Sequence, residues 1–584
     1  MIFLKHFRHY YIKYGWAFLL GILILVGIDY FQLEIPRMLR IIVDGVDPEK
    51  PVFTNVVEIM PIINYVVMIV IGLSLGRFLW RYLLFGTGRK IETDIRQEMF
   101  EHATRLGQNF YSKEKIGGLM SYFINDLNAV RELYGFGLLM LVDGVVLGLF
   151  VLYRMFNLDW LMTLYAFIPI ALVGVLVFFI NIRMEQKFKQ RQEAFEKMSD
   201  FTQESFTGIQ VIKAYVREMR EALTFKKKSQ EVSDKTIDHM RYAVIVNNII
   251  DAMISLVVIA IIAYGSYLMA RTELTGGQLT EYISYFFTLL WPVFAIASFL
   301  NLNGQAQASA KRIYKFLESP IDIFDKDDAI DVSELKGGIK FNHLTFKHED
   351  SEEPVLKDIS FEIKPGEMVG ILGKTGSGKS TIVELLLRTY NVDDQMIYFD
   401  DYDINQIKVK SLRSHIGYVP QDNFLFSDTI KNNIGFAFDS IDDEKLIEVA
   451  KLADIHDNVM EFQDQYETIL GERGTTVSGG QKQRISIARA LAKDPTILIL
   501  DDSVSAVDTK TEEAIISNLR KLRKGRTTIM IAHRISTVKK LDKIVLLDQG
   551  KLIGFGTHKE LLKQNSVYQD MVKRQELEAL VGEV

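Results

Sequence analysis

Long apolar runs dominate the first half of this 584-residue chain. They lie near 16–35, 59–85, 133–153, 158–182, 243–269 and 279–300. A helix needs roughly 20 residues to cross the hydrocarbon core of a bilayer, and each run approaches or exceeds that length. Charges are rare inside the runs, which argues against buried helices of a soluble protein. The pattern predicts six transmembrane helices. The first is expected to be retained, because no cleavage-site motif follows it.

Basic residues are concentrated in two of the connections between these runs. Segment 86–131 carries seven Lys and Arg residues and segment 183–241 carries thirteen, whereas 32–58 carries three and 154–157 and 270–278 carry one each. Loops rich in Lys and Arg remain on the cytoplasmic side of a membrane. We therefore expect both termini and the two long connections in the cytoplasm. The long connections also have few helix breakers, which predicts helices that extend beyond the bilayer toward a cytoplasmic domain.

Ionisable side chains at membrane depth usually face a bundle interior or a watery cavity. Those within the predicted spans are Asp29, Arg77, Arg81, Asp143 and Asp251. We predict that Asp143 or Asp251 contacts a translocated substrate, with a hydrogen bond between helices as the equal alternative. Aromatic residues of the sixth span, such as Phe287 and Trp291, suit flexible apolar ligands, although ordinary packing explains them as well.

The composition of the chain changes over 316–336. This segment is acidic, contains Pro320 and has no long apolar run. We interpret it as a linker between a membrane domain, 1–315, and a soluble domain, 337–584. A net charge of −6 gives no basic field for nucleic acid, so no nucleic-acid partner is expected. Cys is absent, which excludes disulfides, thiolate metal sites and a Cys nucleophile.

A glycine-rich loop follows the apolar segment Met368–Leu372 and precedes a predicted helix beginning near Lys379. Its sequence, GKTGSGKS over 373–380, fits the phosphate-binding loop in the strand–loop–helix context that the motif requires. Its backbone N–H groups are expected to converge on phosphate oxygens. Lys379 is expected to reach the terminal phosphates of a nucleotide, and the Ser380 hydroxyl to bind Mg²⁺.

A carboxylate follows a second apolar strand, in the segment ILILDDSVSAVD over 497–508. Asp501 ends that strand, and an acid there is the expected second anchor for Mg²⁺, directly or through water. By itself an acid after a buried strand indicates little. Together with the phosphate loop it predicts a Mg²⁺–nucleotide site.

Four further motifs carry a family resemblance. Gln421 stands in GYVPQDNFLF, VSGGQKQR spans 477–484, SAVD ends at Asp508, and His533 lies in IMIAHRIST. In order and spacing they resemble the nucleotide-binding domain of ABC ATPases across 337–584. The upstream segments NFYSKEKIGGLMSYFINDLNAV and ESFTGIQVIKAYVREMREALTF look like the cytoplasmic loops of ABC exporters. The resemblance implies an α-helical membrane domain of six transmembrane helices followed by an α/β P-loop ABC domain.

The resemblance also implies roles for individual residues. Gln421 is expected to sense Mg²⁺ and the γ-phosphate, which His533 is also expected to contact, and Mg²⁺ is expected to be held by Ser380, Gln421 and Asp501. Where the family commonly has a Tyr that stacks on adenine, this chain has His348. The residues expected to bind ATP are His348, Gly373, Lys374, Thr375, Gly376, Ser377, Gly378, Lys379, Ser380 and Thr381.

Other motif residues are implied to act across a dimer. The signature residues Ser478, Gly479, Gly480 and Gln481 are expected to contact ATP held by the phosphate loop of another chain. Asp508 is expected at the dimer seam, and Glu472 resembles an element that faces the cytoplasmic loops. The signature begins with Val477 where the family usually has Leu, a mild apolar change.

Asp502 departs from the family, which usually has a catalytic Glu immediately after the Mg²⁺-binding Asp. One methylene fewer retracts the carboxylate by about 1 Å, and a misplacement of that size costs on the order of 10²-fold in rate. We expect the ATP site of this chain to bind ATP and to hydrolyse it slowly. A heterodimer with a Glu-bearing second half-transporter is the favoured assembly. In the homodimer alternative, an inward loop shift lets Asp502 function.

These features predict ATP-driven export of small amphipathic compounds, of multidrug type, across the plasma (inner) membrane of a bacterium. Lipid or peptide export and an ATP-gated regulator without transport are the alternatives. A soluble ABC ATPase acting on DNA or ribosomes is excluded by the six predicted spans.

Overall fold

A computed structural model describes residues 7–46, 53, 56–114, 116–471, 474–503 and 509–582. Two compact units divide the chain. The first combines Met1–Met99 with Met120–Leu317, and the second combines Phe100–Leu119 with Glu318–Val584. The short segment Phe100–Leu119, which lies inside the first predicted cytoplasmic connection, thus groups with the C-terminal half of the chain.

The chain is helical up to Leu317. Its helices are α1 His9–Lys13, α2 Gly15–Gln32, α3 Glu34–Gly45, α4 Val56–Arg105, α5 Gln108–Lys113, α6 Ile116–Ser121, α7 Leu127–Glu132, α8 Leu138–Val142, α9 Gly148–Leu158, α10 Trp160–Thr207, α11 Ile209–Ala214, α12 Glu218–Ala270 and α13 Gly276–Leu317. Three π-helical turns, Tyr122–Asp126, Leu133–Gly137 and Asp143–Leu147, interrupt the stretch from α6 to α9. The long helices confirm that the predicted cytoplasmic connections are helical.

In the described part of the chain, five helical stretches are long and apolar enough to cross a membrane. They are Gly15–Gly45, Val57–Arg105, Ile116–Leu158, Glu218–Ala270 and Gly276–Leu317. The predicted fourth span falls in α10, where the apolar stretch found is the shorter Trp160–Pro169. A sixth crossing therefore stays a prediction.

Buried polar contacts join the helices of the first unit. The Tyr285 hydroxyl lies within hydrogen-bond distance of two acceptors, the carbonyl oxygen of Leu33 at 3.1 Å and the Glu281 carboxylate at 2.9 Å. Arg154 donates to the buried carboxylate of Glu34 at 2.6 Å. Polar groups at membrane depth are stable when they are paired in this way, and these pairs tie α13 and α9 to the α2–α3 region.

The second unit contains two sheets. Its strands are β1 Ile339–Phe346, β2 Leu356–Ile363, β3 Met368–Gly373, β4 Ile397–Phe399, β5 Tyr402–Asp403, β6 Ile416–Val419, β7 Ile497–Asp501, β8 Thr527–Ile531, β9 Lys543–Asp548 and β10 Lys551–Gly556. The antiparallel sheet has the order β2-β1-β4-β5, and the larger sheet has the order β10-β9-β3-β8-β7-β6. The segments IKFNHLTF and ISFEI lie in β1 and β2.

Helices flank these sheets. They are α14 Lys379–Leu386, α15 Val409–Ser414, α16 Ile430–Ile434, α17 Asp443–Leu452, α18 His456–Met460, α19 Gly479–Ala492, α20 Thr509–Leu522, α21 Ile535–Val538, α22 His558–Gln564 and α23 Ser566–Gly582, with 3₁₀ turns at Ile404–Gln406 and Gln465–Glu467. The predicted linker begins at the end of α13 and runs on as irregular chain to β1, with one bridge from Ile330 to Ile407.

The parallel part of the larger sheet brings the motifs together. Strands β3, β8, β7 and β6 are neighbours and run parallel. β3, β7 and β8 are buried along their whole length, as parallel strands covered on both faces are. The carboxyl ends of parallel strands meet at one edge of a sheet, which is where such folds bind ligands. The phosphate loop, His533, Asp501 and Gln421 all follow strands that end at this edge.

Candidate nucleotide-binding site

The phosphate loop is a tight turn that requires its glycines. Gly376 and Gly378 have φ of 81° and 96°, in the left-handed region that favours glycine. A Cβ at Gly373 would lie 2.5 Å from both the Leu547 carbonyl oxygen and the Ser377 hydroxyl. Within the described residues, that hydroxyl is buried and has no hydrogen-bond partner. An unpartnered buried donor inside a glycine-lined cradle fits an anionic oxygen. The remaining loop residues, Lys374 and Thr375, are exposed, and Thr381 is buried.

Lys379 begins α14 and its ammonium is folded back into the loop. Its Nζ lies 2.9 Å from the carbonyl oxygens of both Gly373 and Lys374. Burial lowers the pKa of Lys379, while the carboxylates of Asp501 and Asp502 oppose that shift. A buried cation held by two neutral carbonyls is positioned to exchange them for phosphate oxygens.

Asp501 ends β7 beside the phosphate loop. It accepts a hydrogen bond from the Ser380 hydroxyl, so the two predicted Mg²⁺ ligands are in contact. Burial, and next the neighbouring Asp502 carboxylate, raise the pKa of Asp501 from 3.8 to about 6, against the opposing effects of Ser380 and Lys379. A carboxylate and a hydroxyl oxygen are ligands that Mg²⁺ prefers, so these side chains fit the ion.

The backbone at Asp502 is left-handed, with a φ of 45°. Its N–H donates to the Ile531 carbonyl at 3.1 Å, and its carbonyl accepts from Gln483 Nε2 at 3.2 Å. Gln483 belongs to α19, the helix that the signature motif opens, and is almost fully buried. The main chain at Asp502 is thus held from both sides. Its half-buried side chain projects from a fixed backbone position.

The signature residues form the N-terminus of α19, with Ser478 as its N-cap. The Ser478 hydroxyl accepts from the Gln481 N–H at 3.3 Å, and the Gln481 side chain accepts from the Ser478 N–H at 2.9 Å. This reciprocal capping box satisfies two backbone donors. It leaves the hydroxyl proton of Ser478 and the N–H groups of Gly479 and Gly480 to face a ligand. The Gln481 side chain serves the helix terminus, so contact of that side chain with ATP stays a prediction.

His533 is exposed and follows β8 by two residues. Its carbonyl accepts a hydrogen bond from Gln575 Nε2 at 2.7 Å, and Gln575 Oε1 accepts from the N–H of Ile535 at 2.7 Å. Both ends of one amide therefore hold the backbone on either side of Arg534. Arg534 itself pairs with the buried carboxylate of Glu512 at 3.7 Å.

His348 lies just after β1 and is half-buried. Its ring contacts those of Phe346 and Tyr390 edge-on, with both centroid distances at 4.9 Å. The three rings form an aromatic cluster in which Tyr390 is buried, and stacking of His348 on adenine stays a prediction. Gln421 is exposed after β6, at the edge where the other motifs meet. Asp508 and Glu472 lie outside the described residues.

The candidate cavity residues of the membrane domain separate into two groups. Trp291 Nε1 donates to Asp143 Oδ2 at 2.9 Å, and both residues line one cavity. Phe287 and Asp251 are exposed and are not part of the lining of that cavity. The hydrogen bond between Asp143 and Trp291 joins two helical stretches, which is the structural alternative that the sequence left open.

Two residues of the nucleotide site were not identified from the sequence, namely Gln483 and Gln575. Gln483 stands in the signature segment, two residues beyond Gln481. Residues two positions apart on a helix lie on different faces, so the ligand contact expected of Gln481 did not indicate a role for Gln483. Gln575 had no sequence signal, because its contact with His533 joins residues 42 positions apart.

Comparison with known proteins agrees with this geometry. The ABC transporter transmembrane region matches residues 18–293, and the ABC transporter domain matches residues 356–505. A probable multidrug resistance ABC transporter ATP-binding/permease protein, YheI of Bacillus subtilis, is 36% identical over 576 residues, covering 98% of this chain and 96% of its own. The multidrug resistance-like ATP-binding protein MdlA of Escherichia coli is 35% identical, with coverage of 98% and 97%.

A solved structure extends the similarity to the whole fold. The structure of a bacterial Atm1-family ABC exporter with ATP bound superposes with a TM-score of 0.75 at 25% identity, covering 97% of this chain and 98% of that one. These relatives support ATP-driven export by a multi-pass membrane protein that works as a dimer. The chain therefore belongs to the ABC transporters, with a helical transmembrane region followed by an ABC ATP-binding domain.

Proposed function

We propose that this chain is one half of a heterodimeric exporter and that its own ATP site binds ATP but hydrolyses it slowly. The observation that carries the proposal is Asp502, where the family usually has a Glu. Its backbone is held by Ile531 and Gln483, so a compensating shift of the loop would have to break both hydrogen bonds. That restraint argues against the homodimer alternative.

ATP binding at this site follows from the intact loop. Lys379 and the backbone N–H groups of the loop bind the terminal phosphates, and the Ser377 hydroxyl donates to one of their oxygens. Ser380 and Asp501 would hold Mg²⁺, with Gln421 as a further ligand, and a bound ion would supply positive charge beside the phosphates. Asp502 is within electrostatic range of Lys379 and Asp501, but its carboxylate is too short by one methylene to hold the attacking water in line.

The signature helix completes the second, competent site. Ser478, Gly479 and Gly480 of this chain cap the γ-phosphate held by the phosphate loop of the partner, where a Glu positions water. His533 contacts the γ-phosphate at this chain's own loop, and Asp508 lies at the seam. The two ATP sites of the dimer then have different roles. One site binds ATP and keeps the two ATP-binding domains together, and the other site hydrolyses ATP.

The exporter lies in the plasma membrane with both termini and the ATP-binding domain in the cytoplasm, as the charge of its connections predicts. Closure of the two ATP-binding domains around ATP favours one state of the membrane helices, which switches the cavity between the two sides. The relatives named for multidrug resistance support small amphipathic compounds as substrates.

Steady-state ATPase of the chain purified alone, and of the chain together with a half-transporter that carries the catalytic Glu, tests the proposal. We expect weak turnover alone and at least about tenfold higher turnover for the pair. Replacing the partner's catalytic Glu by Gln should abolish turnover of the pair, whereas Asp502→Asn in this chain should change it less than about twofold.

Two controls make this test decisive. Lys379→Ala should abolish ATP binding at this chain's site, which Asp502→Asn must leave intact. Brisk turnover by the isolated chain that is unchanged by Asp502→Asn would reject the unequal dimer. ATP-dependent uptake of an amphipathic dye into sealed inverted vesicles distinguishes export from an ATP-gated regulator, which would show ATPase without uptake.

A further inference from the structure

A cavity of about 500 Å³ lies inside the membrane unit, between α2, α4 and the stretch that carries Asp143. Its volume is in the range of pockets that hold small organic ligands, roughly 300–1,000 Å³. The polar residues that line it include Asp29, Arg77, Asp143 and Trp291. Its apolar walls include Leu25, Ile28 and Phe136. In such a cavity the polar groups orient a ligand, and the apolar walls add affinity for it.

The inner end of this cavity carries hydrogen-bonding groups without partners. Within the described residues, Asp29 Oδ2 and Asp143 Oδ1 are buried and accept no hydrogen bond. The residues themselves are 3% and 9% exposed, so solvent does not substitute for the missing donors. An unpaired buried carboxylate oxygen is costly, and at membrane depth it marks a functional site more often than a structural one.

The two arginines of the cavity do not supply those donors. Arg77 donates to Gln32 Oε1 at 3.0 Å, and the Arg81 guanidinium lies over the Trp80 ring at 5.5 Å from its centroid. Both side chains are exposed, whereas the two acids are buried. The two exposed arginines are thus engaged elsewhere, and among the described residues no donor reaches Asp29 Oδ2 or Asp143 Oδ1.

An apolar groove adjoins the cavity. It has a volume of about 380 Å³ and is lined by α2 and α4 residues, among them Gly27, Ile28 and Gly72. Ile28 lines the groove and the cavity alike, and its side chain lies 3.0 Å from where a Cβ of Gly76 would be. A Cβ at Gly27 or Gly72 would meet no atom within 4 Å, so the glycines leave open space. Ile28 is therefore shared by the cavity that contains the two acids and by the apolar groove.

We propose that this cavity binds the protonated amine of an amphipathic molecule, with the apolar part of that molecule in the groove beside Ile28. An ammonium group donates up to three hydrogen bonds, and donors are what Asp29 Oδ2 and Asp143 Oδ1 lack. Trp291, already bound to the other Asp143 oxygen, offers an aromatic face to the same cation. The inference rests on the proposed export of amphipathic compounds and narrows their class to primary and secondary amines.

A bare metal ion fits this site less well. Hard divalent cations take about six to eight oxygen ligands, and the described residues contain no group of three or more acidic, His or Cys side chains that could hold a metal. Two carboxylates and an indole suit an organic cation, which brings its own apolar contacts.

Tryptophan fluorescence of the full-length chain in phosphatidylcholine nanodiscs provides the test. The chain has four tryptophans, and Trp80 and Trp291 both line the cavity. Trp16 and Trp160 are 66% and 61% exposed, so a Trp16→Phe/Trp160→Phe background leaves the two cavity reporters. The probes are 4-phenylbutylamine, charged at neutral pH, and 4-phenylbutanol, its neutral counterpart, each corrected with empty nanodiscs.

We expect a saturable change in emission with the amine and none with the alcohol. Asp29→Asn and Asp143→Asn should each raise the half-saturating amine concentration by about tenfold, the loss of a charge-assisted hydrogen bond. Glu273→Gln, which removes an exposed acid of the same unit outside the cavity, should leave it unchanged. Equal binding of amine and alcohol, or unchanged binding in both Asp variants, would overturn the proposal. Displacement of the amine by NaCl alone would also overturn the proposal, because the site would then bind inorganic cations.

Folding of each variant is checked by the rise in melting temperature that ATP produces on the same preparation. If one Asp variant fails this check, the result of the other Asp variant tests the proposal. If both fail, the proposal is tested by comparing amine with alcohol on the Trp16→Phe/Trp160→Phe background that retains both acids. The measurement needs no ATP hydrolysis or partner. Failure of ATP-dependent transport would therefore reject the proposed export function, while loss of amine selectivity would reject this site alone.

Discussion

The side-chain amide of Gln575 lies 2.7 Å from the carbonyl oxygen of His533 and 2.7 Å from the backbone nitrogen of Ile535. One residue of the C-terminal helix α23 therefore holds the turn that presents His533 at both of its ends. Since backbone position determines where an imidazole points, we regard Gln575 as a positioning residue for His533.

Replacing Gln575 with Ala should loosen this turn. We expect MgATP to bind the isolated chain about threefold to tenfold more weakly, because a misplaced His533 loses its contact with the γ-phosphate. Amide hydrogen exchange at Ile535 should accelerate in the same variant, since its N–H loses its acceptor. Gln569→Ala is the matched control: Gln569 lies on the same helix and donates to the Leu562 carbonyl instead. Equal effects of the two substitutions would show that α23 acts only through general stability.

Asp501 predicts how pH affects the ATP site. Its pKa in the folded protein is raised to about 6, above the value of 3.8 for an unperturbed Asp. Between these values the folded protein binds more protons than the unfolded chain, so this group's contribution to the free energy of unfolding falls as pH rises through the window. Binding of Mg²⁺ needs the charged carboxylate and reverses that loss.

The rise in melting temperature produced by MgATP should therefore be larger at pH 7.5 than at pH 5.5. The same comparison with ATP and a chelator should show a smaller dependence on pH. In the Asp501→Asn variant, the part of the rise in melting temperature that depends on Mg²⁺ should disappear at both pH values. A Mg²⁺ effect that grows toward pH 5.5 would contradict the assigned role of Asp501.

Lengthening Asp502 should restore hydrolysis at this site. We expect Asp502→Glu to raise the ATPase rate of the isolated chain by about tenfold to a hundredfold, because the carboxylate regains its reach to the attacking water. The left-handed φ of 45° favours Asp over Glu, so the variant should also lose about 1 kcal/mol of stability. Asp502→Asn, which keeps the length and removes the charge, should gain no activity. An Asp502→Glu chain that binds ATP without faster turnover would show that another feature limits hydrolysis.

Lys113 of α5 pairs with Glu349 at 2.9 Å and with Asp350 at 3.4 Å, immediately after His348. All three side chains are exposed, so solvent screens the pairs and they should contribute little to stability. We expect Lys113→Glu to leave the melting temperature almost unchanged and to reduce transport per ATP hydrolysed by the assembled pair.

The charge-exchanged double variant Lys113→Glu/Glu349→Lys should recover part of that transport, because one favourable pair is formed again while Asp350 still repels Glu at position 113. Lys115→Glu is a neighbouring control. Additive losses in the double variant would indicate that the two residues act independently.

The order of the motifs and the hydrophobic runs determined much about this protein from sequence alone. Glycines in a strand–loop–helix context, an acid after an apolar strand and a serine at a helix N-terminus act through local geometry, which neighbouring residues dictate. The structure accordingly confirms β3, β7 and the helical membrane region. Asp502 was also recognised from the sequence, since a shortened side chain needs only a motif for comparison.

Relationships across long separations were decided by tertiary structure. Gln575 reaches His533, Gln483 holds the backbone at Asp502, and Asp143 meets Trp291 because packing of separate helices and strands brings them together. The sequence marked Asp29 as an intramembrane acid, but it did not show that its carboxylate shares a cavity with Asp143, nor that Asp251 lies elsewhere. Hydrophobic periodicity specifies which residues are buried, whereas the partner of each buried polar group depends on how whole elements pack.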